Sequence, residues 1–315
     1  MTLLNESAKG VYVIAATPFT DNGDIDLASI DRAIDSYIAC GIQGITILGM
    51  MGEAAKLSED ESRSVASRML ARAGNVPVVV GASNPGIDPL VQFSHFVMDE
   101  GAAGIMVAPV AGLRTDEQIV NYFSVLCGKL GPRIPIVLQD YPQSTNVYFS
   151  TATVERIIDL FPQVVVFKHE DCPGLQKLTK IREGGENGSH RRVSILVGNG
   201  GLYFPQELAR GADGAMTGFA YPDMLVEVWR LFCSGDVSAA EDLFDLYLPL
   251  VRHEQQPGFG LAVRKEILRR RGFIASSFVR APGSKLTATD LKELDRLMAR
   301  LGERLKGSQL RAKVA

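Results

Sequence analysis

Val164-Val165-Val166-Phe167-Lys168-His169-Glu170-Asp171 is the stretch on which the fold turns. An apolar run of β-branched and aromatic residues goes straight into a lysine and a charged cluster. Such an unbroken run reads as a strand buried on both faces, as in a parallel sheet. Lys168 then closes the strand at its carboxyl end, where parallel α/β folds carry their chemistry. Burial disfavours the ammonium form and lowers a lysine's pKa. A neutral amine attacks carbonyls and forms Schiff bases. The competing reading turns Lys168 outward, to pair with Glu170 or Asp171.

Strand-like and helix-like segments alternate on both sides of this stretch. Before it, strands are expected at about 11–16, 44–48, 76–81, 104–108 and 134–138, with helices at about 27–40, 59–73, 88–100, 116–130 and 150–161 between and after them. Ser58 with Glu61 has capping-box spacing, and Thr115 caps the helix that follows it. After Lys168 come a helix at about 173–183, a polar loop from Arg182 to Arg192, and strands ending near Val197 and Thr217. Short helices at about 203–210 and 221–233 alternate with them. Eight βα units in succession argue for a closed (β/α)8 barrel over residues 1–234. A doubly wound sheet usually carries a Gly-rich fingerprint after its first strand, and Ala16-Thr17-Pro18-Phe19 is not one. From 235 to 306 the pattern is purely helical, an extension of three helices packed on the barrel. Residues 307–315 read as a frayed tail.

Composition narrows the function classes. Of 315 residues, 46% are hydrophobic and 22% charged, an ordinary globular balance. A formal net charge of -3 offers no basic surface for nucleic acid. Cys40, Cys127, Cys172 and Cys233 form no CxxC pair, so a zinc site and a disulfide framework are not indicated and a reducing cytoplasm is the expected setting. The start lacks a signal-peptide pattern, and no apolar run is long enough to span a membrane.

Three pieces, in order, resemble the dihydrodipicolinate synthase / N-acetylneuraminate lyase family of Schiff-base lyases. They are Thr17-Pro18-Phe19 with Asp21-Asn22-Gly23-Asp24, the frame Gly49-x-x-Gly52-Glu53, and Lys168 closing the sixth strand. The likeness runs over nearly the whole chain. It implies a barrel lyase in which Lys168 forms an iminium with pyruvate or another 2-oxo acid, with no metal or organic cofactor. It also implies a small-molecule substrate and assembly into dimers or tetramers. Lys168, Tyr141 and Gln139 are the expected catalytic residues. Thr17, Met50, Met51, Gly52, Glu53, Asp140, Gly198, Asn199 and Met216 are expected around the substrate.

The departures from the family pattern are specific. Met50 and Met51 stand where two hydroxyl residues usually hold the substrate carboxylate, leaving backbone amides to do so. Methionine suits apolar groups, so a 2-oxo acid with a larger apolar or aromatic substituent is expected to compete with pyruvate. Gln139 occupies the place of the proton-relaying tyrosine, and a carboxamide is no general acid near neutral pH. Tyr141 comes two residues later, so on a strand it shares that facing. Ser144 replaces an arginine of the synthases. These losses imply weak or absent dihydrodipicolinate synthase activity. Glu170 would share the facing of Lys168 if the strand continued, while His169 would point to the helices. Gly198-Asn199-Gly200-Gly201 and the glycines at 211–218 keep a rival open: a barrel holding a phosphate or flavin phosphate between these loops. A non-catalytic, ligand-binding member of the lyase family is the third reading.

Overall fold

The computed structural model describes residues 2–307. Its centre is a closed barrel of strands β1 (Gly10–Ile14), β2 (Gly44–Ile47), β3 (Val78–Gly81), β4 (Gly104–Val107), β5 (Ile136–Asp140), β6 (Val164–His169), β7 (Ser194–Val197) and β8 (Gly214–Thr217). Every neighbouring pair is parallel, and β8 closes on β1 through Gly10↔Gly214 and Val13↔Thr217. The (β/α)8 barrel expected from the alternation is the fold observed.

Helices α1 (Leu27–Ala39), α2 (Glu59–Ala73), α3 (Ile87–Asp99) and α4 (Asp116–Leu130) follow the first four strands. A short α5 (Pro142–Thr145) and then α6 (Thr151–Leu160) follow β5, and α7 (Leu175–Asn187), α8 (Phe204–Ala209) and α9 (Pro222–Cys233) follow the last three. Local chemistry sets their starts. The Ser58 hydroxyl accepts from the Glu61 amide at 3.1 Å and the Glu61 carboxylate accepts from the Ser58 amide at 2.9 Å, the capping box expected from spacing. Thr115 and Gln118 form a second box at α4.

One correction concerns α7. The Gly-rich stretch from Arg182, expected to be loop, stays helical through Gly184 and Gly185 to Asn187 and ends before Gly188, at φ +81°. His190 packs so closely over Gly184 that a Cβ there would sit 2.6 Å from its ring. Close packing has overridden the poor helix propensity of glycine. The fifth strand also runs two residues further than expected, to Asp140, in register with β6 as Gln139↔Lys168 and Asp140↔His169.

After the barrel come α10 (Val237–Glu254), α11 (Gly260–Arg270) and α12 (Ala288–Gly307). Of the expected tail at 307–315, Gly307 is still part of α12, and 308–315 lie outside the described residues. Tyr12, Ile14, Val79, Met106, Val137, Val166, Leu196 and Met216 fill the barrel interior, while the alternate residues pack outward against the helices. No helix among the described residues is long and apolar enough to cross a membrane.

Candidate active site

Strand alternation carries Lys168 one layer above the inward-facing Val166, at the carboxyl end of the barrel. Lys168 is 1% exposed. The outward reading of Lys168 is thereby replaced by a pairing within the barrel mouth. Its Nζ lies 3.0 Å from Glu170 Oε2, and Gln139 Nε2 donates to that same oxygen at 2.7 Å. The turn after β6 keeps Glu170 on the lysine's side although the strand has ended at His169. Gly198 makes this possible. A Cβ at that position would lie 2.3 Å from Glu170 Cγ, so only glycine leaves the carboxylate its place. Asn199, at φ +51°, donates from its side chain to the Glu170 carbonyl at 2.9 Å and fixes the turn from the other side.

Burial drives the Lys168 ammonium below the ordinary lysine range. Glu170 opposes that shift through charge and hydrogen bond, and the nearby Arg264 guanidinium adds to it. Asp171 takes no part, because it pairs with Lys177 at 3.2 Å. Burial, with a smaller push from Glu170, also holds the Tyr141 phenol above its ordinary value, so it stays protonated near neutral pH.

Lys168, Glu170, Gln139, Tyr141, Met50, Met51 and Asn199 meet around one cavity of about 40 Å³, with room for about three waters. Gly200, Thr217, Gly218, Gln255 and Arg264 complete its polar side. A wider hollow of about 420 Å³ shares Met51, Tyr141 and Gln255 and leads outward past α10 and α11. Met50 and Met51 thus share the cavity lining with amide, carboxylate and guanidinium side chains.

Five expected contacts lie elsewhere. Asp140 points outward, in a 2.5 Å ion pair with Lys177 of α7, because it is one residue out of phase with Gln139. Met216 is interior packing of the barrel. Thr17 donates its hydroxyl to the Gly52 carbonyl at 2.6 Å, so it braces the loop after β2 rather than lining the cavity. Gly52 is buried within that loop and Gly198 sits under Glu170. Glu53 is a further correction. Its carboxylate is spent on Lys265, on Lys56 at 2.8 Å and on the Arg280 amide at 3.1 Å. Phe19 packs against Lys265 and the Arg280 guanidinium, with Lys265 Nζ 4.3 Å and Arg280 Cζ 4.4 Å from its ring centroid. Glu53 and Phe19 thus lock the barrel mouth to the C-terminal segment.

His169 faces the helix layer, as alternation implies, and its Nε2 hydrogen-bonds the Gly174 carbonyl at 3.0 Å. The glycines behind the phosphate reading are all occupied by protein. A Cβ would strike Glu170 at Gly198, Gln255 at Gly200, Arg182 at Gly211, Gly10 at Gly214 and Arg264 at Gly218. At these positions the lack of a side chain serves close packing.

A family model, the dihydrodipicolinate synthetase family, matches residues 7–301. The chain belongs to this family. The L-2-keto-3-deoxyarabonate dehydratase of Azospirillum brasilense is 32% identical over 308 residues, covering 93% of this chain and 94% of its own length. The 4-hydroxy-tetrahydrodipicolinate synthase of Sorangium cellulosum is 29% identical over 235 residues, covering 73% of this chain and 76% of its own. A crystal structure described as dihydrodipicolinate synthase from Rhodopseudomonas palustris is 46% identical, covers 95% of this chain and 100% of that one, and superposes with a TM-score of 0.94. Membership of the dihydrodipicolinate synthetase family, with relatives named as a dehydratase and a synthase, makes this chain a lyase-type enzyme.

Arg264 and Gln255 are among the lining residues that sequence reasoning left out, and Glu170 was read there only for its facing. Glu170 had a usable signal, since residues two apart share a facing. Arg264 had none, standing in a helix beside Lys265, Arg269 and Arg270.

Proposed function

We propose that this chain is a Schiff-base lyase that eliminates water from a hydroxylated 2-oxo acid. The observation that carries the reading is the buried Lys168–Glu170 pair at 3.0 Å. Burial favours the neutral amine, and at that distance Glu170 accepts the proton the amine gives up. The amine adds to the 2-oxo carbon, and the carbinolamine hydroxyl departs as water with that proton. The resulting iminium draws electrons from C3, so Glu170 removes a C3 proton and an enamine forms. The enamine pair expels the C4 hydroxyl, to which Glu170 returns the proton. Water then hydrolyses the unsaturated iminium and frees Lys168. Gln139 holds Glu170 in place and transfers no proton itself. Of the loop after β2, Met50 and Met51 reach the cavity, while the Gly52 and Glu53 amides are spent on the Gly49 and Met50 carbonyls.

The dehydratase relative supports the choice of a carbon–oxygen bond, and Gln139, Glu170, Asn199, Thr217 and Arg264 in the cavity lining offer hydrogen-bond partners for a hydroxylated chain. A second reading, condensation of pyruvate with aspartate semialdehyde, is favoured by the Rhodopseudomonas structure's description. Ser144 and Gln139 argue against it, since neither supplies the charge nor the proton of the residues they replace. A cytoplasmic homo-oligomer belongs to the same proposal, in keeping with four unpaired cysteines.

Deuterium exchange tests the reading. In D2O the protein should exchange the C3 protons of pyruvate or 2-oxobutyrate, and Lys168→Ala should abolish this. A 3-deoxy-2-oxo sugar acid should lose water faster than pyruvate condenses with aspartate semialdehyde. Absence of C3 exchange would remove the iminium step, and faster condensation would select the second reading.

A further inference from the structure

Only two lysine or arginine side chains among the described residues line the cavity, Lys168 and Arg264. Lys168 is engaged by Glu170 and is the group that reacts. Arg264 comes from α11, outside the barrel strands, and is 3% exposed. Its Nε donates to the buried Glu254 carboxylate, whose other oxygen accepts from the Ala220 amide at 3.1 Å. Its Nη1 is buried and has no hydrogen-bond partner. That nitrogen lies over Gly218, where a Cβ would come within 2.1 Å of it. A buried guanidinium nitrogen left unpaired is costly and uncommon in folded proteins. Here glycine has made room for it, Glu254 fixes the guanidinium's direction, and the Arg264 side chain lines the reaction cavity.

We propose that Arg264 binds the carboxylate of the 2-oxo acid. The proposal rests on the Schiff-base reading above. Every 2-oxo acid carries an anionic group next to the carbon that Lys168 attacks. The loop after β2 presents Met50 and Met51, whose side chains have no donor to offer it. A guanidinium is the side chain best matched to a carboxylate, through short charge-assisted bonds. Recognition of the substrate anion thus falls to a helix beyond the barrel. The clamp of Lys265 and Glu53 one residue along α11 holds that helix against the mouth.

Borohydride trapping with pyruvate and with pyruvamide, its neutral analogue of similar size, tests this. Labelling of intact protein is read by mass against probe concentration. Arg264→Met should raise the pyruvate concentration for half-maximal labelling by about 10- to 100-fold and shift pyruvamide by about 3-fold at most. Arg264→Met alone leaves Glu254 buried without its cation. Arg264→Met combined with Glu254→Gln removes both charges and should show the same selective loss in a protein of near-normal Tm. A parallel loss for both probes, or an unchanged pyruvate response in either variant, overturns the assignment. Wild-type protein that neither probe labels overturns the Schiff-base reading itself, and the assignment with it.

Discussion

Glu170 Oε2 stands 3.0 Å from Lys168 Nζ and accepts from Gln139 at the same time, inside a barrel mouth where both partners are buried. The carboxylate therefore touches the amine directly, without an intervening phenol. It also opposes the neutral amine on which the chemistry depends, and burial outweighs it.

Replacing Glu170 separates these two effects. Glu170→Gln removes the group that favours the ammonium, so the Lys168 pKa should fall further and the pH profile of imine trapping should move toward acid. Turnover and C3 exchange should drop by about 10²–10⁴-fold, because the positioned proton acceptor is gone. Trapping and exchange measured against pH give both quantities. A profile moving toward alkali would contradict the account.

Gly198 is predicted to be as sensitive as the residue it shelters. Gly198→Ala would place a Cβ 2.3 Å from Glu170 Cγ, so the carboxylate must leave the lysine. Activity should approach that of Glu170→Gln while circular dichroism stays native. Full activity in the alanine variant would show that Glu170 is not needed where it stands.

Glu53 should behave as a structural residue. Lys265→Met leaves the Glu53 carboxylate buried and without one of its cations, and breaking a buried pair typically costs about 3–5 kcal/mol. Urea unfolding should show a loss of that order. Unchanged stability would place the lock between barrel and C-terminal helices elsewhere.

Glu207, on α8, gives a pH-dependent stability. Burial, with help from Glu170, pushes its pKa up to about 8, and its Oε2 has no hydrogen-bond partner. Between the unfolded value of 4.5 and about 8 the folded state binds the extra proton, so stability falls as pH rises through that window. Glu207→Gln should remove this slope. The Tm gain of the variant over wild type should therefore grow from pH 5 to pH 8, and a gain largest at pH 5 would contradict the assignment.

The barrel was legible because its signals are periodic and local. Unbroken apolar strands, the Ser58–Glu61 capping box, the Thr115 cap and Lys168 after Phe167 each fix a piece of it. The site was legible only as far as strand alternation reaches. It correctly separates Lys168 and Gln139 from His169, and the same rule puts Asp140 outside, against the family pattern aligned on Pro142. Glu53 and Arg264 were out of reach, because their roles depend on which residues of a distant helix arrive at the mouth. The glycines misled for a related reason. Gly198 and Gly218 look like ligand loops in sequence, and only their neighbours reveal that Glu170 and Arg264 need the space.

The most direct test of the central claim is borohydride reduction in the presence of a panel of 2-oxo acids, read by intact mass and peptide mapping. The account predicts one adduct per chain, located on Lys168 and absent from Lys168→Ala. An adduct that persists in Lys168→Ala, or no adduct with any 2-oxo acid of the panel, would contradict it.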